Sequence, residues 1–125
     1  MRSKACREYD LEARLIDFAV RIIATAEGLP KSRVGIHIAG QLLRSGTSPA
    51  PNYGEAQAAE SRSDFIHKIK ICLKELRETR IWLLMIVKAN LLTPASRLEP
   101  LLDETDQLIS IFVTSIKTAQ QKSSS

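Results

Sequence analysis

Apolar residues recur along this chain at alternating intervals of three and four, the spacing of one face of an α-helix, and four separate stretches carry the pattern. In the first, Leu11, Leu15, Phe18, Ile22 and Thr25 form a stripe that opens behind Asp10, an acceptable N-cap, and ends at Gly28-Leu29-Pro30. In the second, Ser32 is placed to cap a helix carrying Val34, Ile36, Ile38, Leu42 and Leu43 as far as Arg44. The segment 45–54 then holds Gly46, Pro49, Pro51 and Gly54, which interrupt or kink a helix, and helix is expected to resume over Ala56–Glu60.

The third stretch is the most regular. Phe65, Ile69, Cys72, Leu76, Thr79, Leu83 and Ile86 define a long helix that starts at a Ser61 or Ser63 cap and reaches about Asn90. Thr93-Pro94 has the form of a helix start, with Thr as cap and Pro at the first helical position. Leu98, Leu101, Leu102, Thr105, Leu108, Ile109, Phe112 and Ile116 supply the last stripe. Four amphipathic segments with short connections pack most simply as an all-α, antiparallel up-down-up-down four-helix bundle, here with a kinked second helix. The expected organisation is an N-terminal arm over 1–9, the bundle over 10–119 and a disordered tail over 120–125.

Composition supports helices. The 125 residues are 44% hydrophobic but 5% aromatic, so the core is built from Leu, Ile, Val and Ala. A domain of this size buries roughly two-thirds of its unfolded surface and needs no disulfide or metal to fold. Cys6 and Cys72 lack the close spacing of a redox or zinc motif and are read as reduced thiols of a cytoplasmic protein. Met1-Arg2-Ser3-Lys4 is followed by Arg7, Glu8 and Asp10 in place of an apolar segment, so a signal peptide is not expected, and no stretch has the length of a membrane span.

A helical bundle raises the question of a di-iron centre, which takes two Glu-x-x-His motifs and two further carboxylates. Asp64-Phe65-Ile66-His67 resembles half of one, but His37 has Val34 three residues before it, so the second motif is missing. Cys72 lies on the core stripe and reads as a buried thiol, and Glu75 and Glu78 read as a solvated pair beside Lys74. No phosphate-cradling loop occurs, since Gly46 and Gly54 lack the Lys-Ser or Lys-Thr of a P-loop. An enzyme would need a site assembled between subunits from Glu55, Glu60, Asp64 and His67, and a protein without catalytic residues, metal or cofactor is the preferred reading.

Charge is distributed unevenly. The formal net charge is +4, and residues 61–90 alone carry seven basic and three acidic side chains. On the third long helix His67, Lys70, Lys74 and Arg77 follow a helical spacing offset from the core stripe and form a basic ridge about 15 Å long. Such a ridge can meet several phosphates of RNA or DNA and release counterions, giving salt-sensitive binding with little sequence preference. Against this, Asp64 precedes Lys68 and Lys74 precedes Glu78 by one turn, so part of the charge can serve the helix itself, and no aromatic stacking residue interrupts the ridge. Trp82, Met85 and Ile71 fall outside the core stripe and are candidates for a subunit interface.

Several strings together carry a resemblance: Gln41-Leu42-Leu43-Arg44-Ser45-Gly46-Thr47-Ser48, Asn52, Glu55-Ala56, Glu60-Ser61-Arg62-Ser63-Asp64-Phe65-Ile66-His67-Lys68, Leu73-Lys74-Glu75, Glu78 and Trp82-Leu83. Over about residues 10 to 118 the chain resembles the bacterial four-helix-bundle proteins encoded in intervening sequences of large-subunit rRNA genes. The resemblance implies a ring-like homopentamer. A related branch, the accessory protein of diversity-generating retroelements, is a basic pentameric barrel that binds nucleic acid and a reverse transcriptase. Pro49 and Pro51 depart from the family's usual pattern, and the match implies that Asn52 and Glu55 are structural residues of the turn and the helix restart. The expected partners are further copies of the chain, with RNA, DNA or another protein held by the assembly and no membrane.

Overall fold

The computed structural model describes the backbone of residues 4–124 and the side chains of residues 11–122. Five α-helices, α1 (Lys4–Glu27), α2 (Arg33–Thr47), α3 (Pro49–Gln57), α4 (Arg62–Lys88) and α5 (Glu99–Ser124), build four antiparallel rods, because α2 and α3 are one rod bent at Ser48. The helix α1 packs on α2, α3 and α5, and α4 packs on the same three, whereas the α1 and α4 backbones face each other only across the core. They therefore stand on opposite corners of the bundle and run in the same direction.

The core follows the stripes. Leu15, Phe18 and Ile22 of α1, Ile38 and Leu42 of α2, Ile69, Cys72, Leu76, Thr79, Leu83 and Ile86 of α4, and Leu101, Thr105, Leu108, Phe112 and Ile116 of α5 are buried. Tyr53 of α3 meets Phe112 edge-on across the core, with ring centroids 6.0 Å apart and planes at 84°. Val34 and Ile36 do not join it. Both are more than half exposed, because the inward face of α2 is set by Gly35, Ile38, Leu42 and Ser45.

Local signals explain most boundaries. Ser32 caps α2 by accepting a hydrogen bond from the Gly35 amide, and Ser61 caps α4 by accepting one from Asp64. The end of α4 closes with Asn90 in the left-handed region at φ 54°, where the Asn90 amide bonds the carbonyl of Val87 and the Leu91 amide that of Ile86.

Other boundaries differ from the sequence reading. Asp10 lies inside α1, which extends back to Lys4, so the expected arm over 1–9 is largely helix: no breaker separates Lys4 from Asp10. The expected tail is helical through Ser124 for the same reason. Helix resumes at Pro49, well before Ala56, because proline fits the first turn of a helix, and it stops at Gln57. Thr93-Pro94 does not open a helix. It is a cis peptide leading into a 3-10 turn at Ala95–Leu98, and α5 begins at Glu99.

Among the described residues, five ion pairs tie the rods together. Arg14 of α1 grips Glu104 of α5 through two hydrogen bonds, at 3.1 and 2.7 Å. That bonding raises the Arg14 pKa. Arg80 of α4 reaches Asp106 of α5 at 2.7 Å, and Lys68 of α4 reaches Glu55 of α3 at 3.0 Å. Arg44 of α2 bonds both Glu75 and Glu78 of α4. Glu75 is therefore not the solvated side chain that its neighbours suggested, being only 8% exposed beneath Arg44. Beside it Thr79 donates to Ser45 at 2.9 Å, an interhelical bond between two fully buried hydroxyls.

Cys72 sits under α3, its Sγ donating to the Pro49 carbonyl at 3.5 Å. Burial pushes this thiol up to about 12. The folded protein therefore holds the thiol proton where an unfolded chain, above pH ~9, releases it. Stability should fall with rising pH between about 9 and 12, by at most about 1.4 kcal/mol per pH unit from this group. Urea melts of the native chain and of Cys72→Ala check this: the native chain should lose stability faster over that window, and parallel curves would refute it. The Cys6 side chain lies outside the described residues.

Candidate nucleic-acid interface

The outward face of α4 is one line. His67, Lys70, Lys74, Arg77, Ile81, Met85 and Lys88 succeed one another at helical spacing, and all are exposed because each lies opposite the buried Cys72, Leu76, Thr79 and Leu83. The first four are the basic ridge. Successive residues of the ridge stand about 4.5–6 Å apart along the axis.

The ridge is left uncompensated by the ion pairs around it. Lys68 and Arg80 flank it on the same helix, and each is held by a carboxylate of a neighbouring helix. The two glutamates of the ridge's own stretch, Glu75 and Glu78, face the other way and are taken by Arg44. The turn-spaced pairs expected within α4 make no hydrogen bond: Lys68 bonds Glu55, with Asp64 acting on it only through its charge, and Glu78 bonds Arg44 and the Trp82 indole instead of Lys74. Among the described residues, His67, Lys70, Lys74 and Arg77 make no side-chain hydrogen bond or ion pair. Arg77 also borders a shallow groove between α4 and α5, shared with Arg80, Ile81, Asp106 and Ile109.

The three apolar candidates separate. Trp82 is half-buried over the α2–α4 seam, its ring edge-on to His37 with centroids 6.2 Å apart and its Nε1 donating to Glu78 at 3.0 Å. Ile71 is half-buried as well, and only Met85 is exposed. Met85 lies on the same outward line as the basic ridge, one turn beyond Ile81, and with Val34, Ile38, Leu84 and Leu91 it lines an apolar groove. Spacing on α4 alone did not reveal that patch, since Val34 reaches it from α2 and Leu91 from the following loop.

Glu55 is committed to Lys68, a bond that raises the lysine's pKa, and the described residues hold no group of three metal-ligating side chains.

The likeness noted in the α2–α3 and α4 strings extends well beyond them. Residues 7–114 match the family of 23S rRNA-intervening sequence proteins. The chain belongs to that family. A solved structure of similar fold is that of a protein of unknown function from the S23 ribosomal protein family of Bacteroides thetaiotaomicron, 33% identical, with a TM-score of 0.79 over 85% of this chain and 97% of that one. No curated protein matches. Neither intervening-sequence protein nor S23 ribosomal protein is the name of an enzyme family. No helix among the described residues of this intervening-sequence protein is long and apolar enough to cross a membrane.

Proposed function

We propose that this chain is a non-enzymatic, homo-oligomeric bundle, a pentamer as the family resemblance implies, that holds RNA or DNA on the basic ridges of its α4 helices. The observation that carries the reading is the set of four outward basic residues without a carboxylate partner, flanked by Lys68 and Arg80, which are neutralised by neighbouring helices. One ridge of about 15 Å reaches only a few phosphates. A ring repeats it, and the summed contacts give useful affinity from individually weak ones.

Lys70→Glu/Lys74→Glu should abolish binding to a short mixed-sequence RNA or DNA duplex at low salt while leaving the far-UV circular dichroism unchanged. Single Lys70→Gln and Lys74→Gln changes should each weaken binding uniformly across sequences and lower the salt slope by about 1 for every ridge engaged. Undiminished affinity in the double variant would place the nucleic-acid site elsewhere.

The exposed Val34, Ile81 and Met85 favour a second reading, an adaptor that holds another protein. An assembly whose mass is indifferent to both nucleic acids at every salt concentration, and which retains a protein partner after nuclease treatment, would select it.

A further inference from the structure

Two outward faces of the monomer are apolar, and they lie on opposite corners of the bundle. On α4 the face is Ile81 and Met85, extended by Val34 of α2. On α1 it is Ile16, Val20 and Ile23, a stripe at helical spacing with each side chain 44–57% exposed. We propose that these are the two halves of a single contact between copies, the α1 stripe of one protomer seating on the α4 patch of the next. The proposal rests on the homo-oligomeric reading above and names the surfaces that would build it.

Charge and direction favour this pairing. Glu12 and Glu27 bracket the α1 stripe, and Arg77 and Lys88 bracket the α4 patch. Pairing either face with its own copy about a two-fold axis would oppose like charges, whereas α1 against α4 in parallel opposes Glu12 to Arg77. Because α1 and α4 run in the same direction within a protomer, copies related by rotation about an axis along the bundle bring them together in parallel. One register then sets Glu12 against Arg77, Ile16 against Ile81, Val20 against Met85 and Ile23 against the stem of Lys88. A contact between unlike faces on opposite sides is heterologous and closes into a ring when the rotation allows it. In that register Arg77 turns to the neighbouring subunit, and His67, Lys70 and Lys74 are the part of the ridge left to meet phosphate.

Light-scattering mass in the absence of nucleic acid tests the pairing. Val20→Glu and Ile81→Glu each bury a carboxylate against an apolar face and should raise the dissociation constant by about 100-fold or more, leaving monomers of unchanged helicity. Mixed at high concentration, the two variants should form a one-to-one dimer and nothing larger, since each retains the face the other has lost. Glu12→Arg should weaken assembly, and Arg77→Glu in the same chain should restore it. A monomeric native chain would overturn the homo-oligomeric reading together with this one. A native oligomer whose mass neither variant changes, or variants that fail to pair, would overturn the α1–α4 contact alone.

Discussion

Phe112→Ala should cost about 3–5 kcal/mol, among the largest losses available to a single side chain in this bundle. The ring is fully buried near the middle of α5, and it receives the edge of Tyr53 from the opposite rod, so its removal empties volume that a second aromatic was placed to fill. A domain of this kind is stable by about 5–15 kcal/mol, so the variant should unfold at much lower urea, and its melting temperature should drop by on the order of 15 °C. The slope of the urea transition should stay unchanged, since the same surface is exposed on unfolding. Native and variant chains must be compared at one concentration, because assembly adds its own stabilisation. A loss under about 1 kcal/mol would mean that the core closes around the missing ring.

Gly35→Ala should be nearly as damaging, although it adds only one methyl group. A Cβ at Gly35 would stand 1.9 Å from the Pro30 carbonyl oxygen, and that oxygen belongs to backbone locked between the end of α1 and the start of α2. The same amide is the one Ser32 caps, so backing away from the clash also opens the cap. A loss of about 2–4 kcal/mol is expected from the two effects together. Gly40, five residues along the same helix, is the control: a Cβ there meets nothing within 4 Å. Gly40→Ala should therefore stabilise the chain by about 0.5–1 kcal/mol through helix propensity alone. Equal effects at the two glycines in urea melts would refute the steric account.

What the sequence disclosed and what it withheld divide along a physical line. The buried face of α4, from Ile69 through Ile86, was legible because a long helix against a shared core repeats its pattern many times over. The Ser32 and Ser61 caps were legible because a cap bonds an amide two or three residues away. The environment of Glu75 was not, since the arginine that covers it lies on another helix, 31 residues earlier. The exposure of Val34 was missed because an apolar side chain at helical spacing reads as core until its neighbours are known. The basic ridge was visible as spacing, but that its cations lack partners became clear only when Glu55, Asp106 and Arg44 were seen to engage the charges on either side. The apolar patch beyond it combines residues from three chain segments, which a periodicity within one helix cannot show.

The clasp of Arg44 on Glu75 and Glu78 has a further consequence for how the rods find their alignment. Leucine and isoleucine layers are interchangeable, and a helix that slides along its neighbour by one turn can bury nearly as much apolar surface. Such a slip would carry Arg44 about 5 Å along α4 and leave Glu75 nearly buried without a cation, while Ser45 and Thr79 lost each other as well. A stranded carboxylate costs several kcal/mol, which a slipped core has no means to recover. The clasp thus works as a detent: it adds little to the depth of the native well, but it removes the neighbouring notch.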